Sequence, residues 1–130
     1  MNTYYFSVII NDTFESAIEK TVQSLQNHSF GVLTEIDVKA TLNKKLNVDF
    51  KNYRILGACH PPSAYKALSA EDKIGTMLPC NVIVQELEPG KIEIAAIDPI
   101  ASMMAVQNPS LGDIAIEVRA KLKSVIDSIK

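Results

Sequence analysis

A two-layer α+β fold is predicted for this sequence: a five-stranded, antiparallel-rich sheet with two long helices on one face. Three observations carry the prediction. The long elements run strand, helix, four strands, helix, and consecutive strands without long helices between them favour antiparallel pairing. The clearest local signal is a pair of β-rich runs, 81–87 and 92–97, around Glu88-Pro89-Gly90-Lys91, where Pro-Gly suits the centre of a tight turn. Two helical segments near either end each carry one apolar stripe, as helices lying on a sheet do.

Taken in order, residues 4–10 place Tyr4, Phe6, Val8 and Ile10 on one side, an aromatic and β-branched strand pattern. Asn11-Asp12-Thr13 stops it, with Asp12 the expected helix N-cap and Glu15 its capping-box partner. Phe14, Ala17, Ile18, Val22 and Leu25 follow at helical spacing. A second strand, 32–37, alternates Val32, Thr34 and Ile36 against Leu33, Glu35 and Asp37. Val38, Leu42 and Leu46 recur every fourth residue, so a short helix is expected there. Residues 53–59 form the next strand, ended by Pro61-Pro62, with Pro62 suited to the first turn of a helix through Ala70. Residues 71–78 read as a connection to the hairpin, and a short helix over 100–106 follows Pro99. The last and longest stripe is Leu111, Ile114, Ala115, Val118, Leu122, Val125, Ile126 and Ile129, with Ser110 and Asp113 as its expected cap pair.

At 130 residues the chain is read as a single domain, 1–130, without repeat, linker or low-complexity tract. Thirteen basic against fifteen acidic residues, a net charge of -2, speak against a nucleic-acid footprint. No apolar run reaches the length of a membrane span. The opening residues have no basic segment before the apolar run and no small-residue cleavage site, so they read as structure rather than a signal peptide. The expected compartment is the cytoplasm, where two cysteines stay reduced. Several strands are apolar at both parities: Tyr5 and Ile9 oppose Phe6 and Val8, and Val82 and Val84 oppose Ile83 and Leu87. A sheet face open to water alternates more cleanly. The second face is therefore expected to be covered by loops, by a second subunit or by a ligand cavity.

Chemistry centres on five residues: Asp37, Cys59, His60, Cys80 and Asp98. Cys59 ends one strand and Cys80 begins another, so neighbouring antiparallel strands would bring them to one sheet edge. They read as a thiol pair, as a reactive Cys59 thiolate beside the helix start near Pro62, or as small buried hydrophobes, the usual state of free cysteine. No metal site is expected, because the soft-ligand set of Cys59, Cys80, His28, His60 and four methionines lacks the paired short spacings of zinc sites. The carboxylates Glu35 and Asp37, which share a face at strand spacing, and Asp98 would do acid–base work as a pair held in an apolar pocket, while Asp37 and Asp98 also read as helix caps. His28 lies near a helix end, where the dipole favours it. Lys39, Lys44, Lys45 and Lys51 read as a solvated face. There is no nucleophile elbow and no glycine-rich phosphate loop, and no cofactor is expected.

The segment Asn27-His28-Ser29-Phe30-Gly31-Val32-Leu33-Thr34-Glu35-Ile36-Asp37-Val38 resembles a signature of the domain-of-unknown-function family 302. So do Ile55-Leu56-Gly57-Ala58-Cys59-His60-Pro61, Leu78-Pro79-Cys80-Asn81-Val82 and Ile97-Asp98-Pro99. His60 stands where that family commonly has asparagine. The resemblance implies a TATA-binding-protein-like strand–helix–four strands–helix fold, a likeness that carries no implication of DNA binding, in a family often seen as dimers and without assigned catalytic roles. The expectation for function is a non-enzymatic, homodimeric domain binding a small ligand in a cleft near Cys59, His60, Cys80, Asp37 and Asp98. The alternatives are a thiol-dependent redox or detoxification protein using Cys59 and Cys80, and a structural or interaction module.

Overall fold

The computed structural model describes residues 4–130; the first three residues, which the signal-peptide reading includes, lie outside it. Strands β1 (Tyr5–Asn11), β2 (Gly31–Asp37), β3 (Tyr53–Cys59), β4 (Cys80–Glu88) and β5 (Lys91–Ile97) form one sheet of order β1-β5-β4-β3-β2. Every neighbouring pair is antiparallel. Helices are α1 (Phe14–Asn27), α2 (Val38–Leu46), α3 (Pro61–Ala70), α4 (Pro99–Ser102) and α5 (Gly112–Asp127).

Both long helices lie on one sheet face. Phe14, Ala17, Ile18 and Leu25 of α1, with Val118, Leu122, Val125 and Ile126 of α5, pack against Leu56, Ala58, Val82, Val84, Ile92, Ile94 and Ala96. Those strand residues share one pleat direction, as the register requires: Leu56 pairs with Val82, and Val82 with Ala96. Ser24, buried in the α1–α5 contact, donates to the Val125 carbonyl at 2.8 Å, so its hydroxyl is not left unpaired. The hairpin turns at Pro89-Gly90, where Gly90 takes φ +83°, the conformation that turn position demands of glycine.

Several local expectations are corrected. Thr13, not Asp12, caps α1, accepting from the Ser16 amide; Asp12 instead accepts from the Thr13 amide and the Ser16 hydroxyl. Residues 71–78 are no plain connection but hold a 3-10 helix, Asp72–Met77, seated by the buried Ile74. Helix α4 stops at Ser102 rather than reaching Val106. Ser110 and Asp113 do not cap α5; Asn108 accepts from the Ser110 amide and caps the 3-10 turn Pro109–Leu111 that leads into it. In β2 a bulge between Val32 and Thr34 reverses the pleat, so Val32 pairs with Ala58 on the helix side while Thr34 and Ile36 pair with Gly57 and Ile55 on the other.

That other face carries no long helix. Tyr5, Ile9 and Ile36 are exposed on it, with Ile55, Ile83 and Tyr53 half-buried between them. A shallow depression of about 340 Å³ lies there, lined by Tyr4, Tyr5, Tyr53, Ile83, Gln85 and Glu93 among others.

Candidate functional site

A cavity of about 280 Å³ opens at the end of the sheet where β3 stops and β4 starts. Its walls are Phe30, Leu33, Ala58, Cys59 and Cys80 from the strand ends and their approaches, and His60, Ser63, Ala64, Ala67 and Leu68 from the start of α3 onward. Gly75, Leu78 and Pro79 close one side, and Pro99, Met103, Ile114, Ala115 and Val118 the other. The room exists because α3 turns small residues, Ser63, Ala64 and Ala67, toward it, where leucines would complete a core. Leu33, Leu68 and Gly75 are the exposed lining residues and rim the mouth. The lining takes residues of both pleat directions, so the cavity reaches around the end of β3.

Close approach at that strand end depends on glycine. A Cβ on Gly57 would stand 2.7 Å from the Pro79 ring and closer still to the Thr34 hydroxyl. Without one, the segment 78–79, whose Leu78–Pro79 bond is cis, lies directly over β3.

Three of the five singled-out residues meet here. Cys59, His60 and Cys80 all line the cavity. Both cysteines are free. Cys80 pairs with Ala58 and Cys59 with Gly31, so the pleat sends the two thiol-bearing side chains to opposite faces. Side chains that diverge this way do not bridge without backbone movement. Burial, with Cys59 nearby, pushes the Cys80 thiol up to about 11, so it is neutral at physiological pH.

His60 is the N-cap residue of α3, although its side chain makes no cap bond. Its Nδ1 lies 2.7 Å from the Oγ of the buried Ser63, and its ring meets Phe30 at 5.7 Å between centroids. Among the described residues Nε2 has no hydrogen-bond partner. Burial, followed by the charge of Lys121, holds the imidazole below its usual range and favours the neutral ring.

The two aspartates are placed otherwise. Asp37 pairs in register with Arg54, five residues back along β3 from Cys59, about 17 Å away at strand rise. There it caps α2 by accepting from the Ala40 amide at 2.9 Å and joins Glu35 and Glu15 around the Arg54 guanidinium. Asp98 stands next to the lining residue Pro99 but does not line the cavity. One of its oxygens accepts from the Ile100 amide at 3.0 Å, capping α4, and the other pairs with Arg119 Nε at 3.2 Å. Both aspartates therefore act as caps, and their cap signals were visible in the chain. Ser63 and the alanines of α3 carry no motif, and their one signal in the chain is a helix whose inward stripe lacks large residues.

Among the described residues no group of three or more His, Cys, Asp or Glu side chains is placed to hold a metal ion. None of their helices is long and apolar enough to cross a membrane. The family model described as "Domain of unknown function DUF302" matches residues 6–129. A solved structure, the uncharacterized conserved protein DUF302 from Bacillus stearothermophilus, is similar over 99% of this chain and 100% of its own, with a TM-score of 0.90 at 27% identity. No curated protein matches the chain.

Proposed function

Because the chain belongs to the DUF302 family, whose description names no activity, we propose its role from the cavity: it is a non-enzymatic domain that binds a small molecule between the sheet end and α3. The observation that supports this reading is an open, apolar space of about 280 Å³ beside His60, Cys59 and Cys80. Interiors otherwise close-pack with few voids larger than a water molecule, whereas ligand sites are concave, mainly apolar and edged by a few polar groups. Of the two routes open to the redox alternative, joining Cys59 to Cys80 is opposed by their opposite pleat directions, and a lone reactive thiolate would fall to Cys59, since burial keeps the Cys80 thiol protonated. We also propose that the domain is a homodimer through the sheet face opposite the two long helices, a reading favoured by Tyr5, Ile9 and Ile36 standing exposed on it.

The test of binding is a fluorescence titration with N-phenyl-1-naphthylamine, an uncharged probe that brightens in apolar surroundings. Wild type is expected to give saturable one-to-one binding. Ala64→Leu, which grows a side chain into the cavity, is expected to weaken it at least tenfold with an unchanged circular dichroism spectrum. Equal binding by both proteins would overturn the assignment, and no binding by either would leave a structural or interaction module as the reading. Native mass spectrometry of protein taken directly from cells then reports the retained molecule and the subunit number together.

A further inference from the structure

We infer, resting on the binding role above, that the occupant is an uncharged, mainly hydrocarbon molecule of about two fused rings or a ten-carbon chain, carrying one oxygen function that bonds His60 Nε2.

Charge is excluded by the lining. No Asp, Glu, Lys, Arg, Asn or Gln side chain is among the residues that wall the cavity. An ionised ligand would leave water without gaining a counter-ion. Lys66, Glu117 and Lys121 act on His60 from a distance, but their signs are mixed and none of them lines the space.

One polar group is selected by elimination. The heteroatom-bearing side chains in the lining are Cys59, Cys80, Met103, His60 and Ser63. The sulfurs are weak partners. The Ser63 hydroxyl is engaged with His60 Nδ1 at 2.7 Å, which fixes the ring and leaves Nε2 as the strong site. A serine hydroxyl either donates or accepts, so the imidazole can carry its proton on either nitrogen. Nε2 thereby matches a carbonyl as well as a hydroxyl.

Size follows from volume. A dry apolar cavity of about 150 Å³ takes benzene. This one, at about 280 Å³, has nearly twice that room. The exposed Leu33 and Leu68 at the mouth offer an apolar passage rather than a polar gate.

The experiment is calorimetric titration at pH 7.4 with three probes of one size: naphthalene, 2-naphthol and 2-naphthoate. Wild type is expected to bind 2-naphthol at least fivefold more tightly than naphthalene, and 2-naphthoate at least tenfold more weakly than 2-naphthol. In His60→Phe the advantage of the hydroxyl is expected to vanish while naphthalene still binds. His60→Asn supplies a second variant that folds, because asparagine is a preferred N-cap and α3 has no side-chain cap now; its shorter amide should also lose the advantage. The inference is overturned if 2-naphthoate binds as well as 2-naphthol, or if the hydroxyl advantage survives both substitutions while naphthalene binds. Failure of all three probes on wild type, together with N-phenyl-1-naphthylamine, overturns the binding role itself and the inference with it.

Discussion

Cys80 and Cys59 are one residue out of step across the β3–β4 ladder, and that single offset separates their chemistry. Cys80 is buried among hydrophobic neighbours, and its thiol is pushed up to about 11 from an ordinary value of 9.0. The folded protein thus prefers the protonated form more than the unfolded chain does. Its stabilising effect is complete below pH 9 and is lost as pH rises toward 11, where the unfolded chain has already ionised. Two units correspond to about 2–3 kcal/mol. Urea unfolding of wild type and Cys80→Ala at pH 8, 9, 10 and 10.5 should therefore converge, with wild type losing the larger share above pH 9. Parallel losses in the two proteins would mean that the thiol is not desolvated as described. Sequence could place both cysteines at one sheet end, because each borders a proline turn at a strand terminus. It left open whether they pair, since that depends on ladder register, which no local pattern carries.

At the scale of elements, the strands and the two long helices were legible because each buries one continuous stripe. Breaks in a stripe were not. The bulge in β2 inserts a residue without changing composition, so strict alternation puts Val32 on the face of Thr34 and Ile36 although it lies with Ala58. Helix α2 illustrates the opposite limit, an element set by its ends rather than its burial. None of its residues is buried, and it is held by the Asp37 cap at its start and by Asn47 at φ 55° after its last turn. Asp37→Ala should remove the bond to the Ala40 amide and cost about 1 kcal/mol of stability, read as a lower urea midpoint. Asp37→Asn, which keeps an accepting oxygen, should recover most of it. Probe binding should be unchanged in both, since the residue stands about 17 Å along the strand from Cys59. A weakened probe affinity in Asp37→Asn would tie this end of the sheet to the cavity.

For the whole molecule, the blurred alternation of the strands already posed the question of what lies on the second face. The structure answers half of it. Loops and α3 wrap the sheet end and shape the cavity, while both long helices lie on the opposite face. Five strands of about seven residues span roughly 500–600 Å² in projection, and the accessible area of a corrugated face is larger, so a second copy seated there would approach the roughly 800 Å² per partner of a standard interface. Such a contact pairs two mixed faces, each with Tyr5, Ile9 and Ile36 exposed and Ile55 and Ile83 between them beside the hydrogen-bonded Gln85 and Glu93, and leaves the mouth at Leu33 and Leu68 on the sheet end. Sedimentation velocity at micromolar concentration is the measurement. Wild type should sediment as a dimer. Replacing Ile9 and Ile36 together by lysine should give a monomer, because lysine ammonium groups across an apolar interface lose water without gaining partners. Both positions are about half exposed in the single chain, so folding should survive the change. A monomeric wild type, or a variant that remains dimeric, would remove this face as the dimer contact and leave it as a solvated sheet surface with scattered apolar residues.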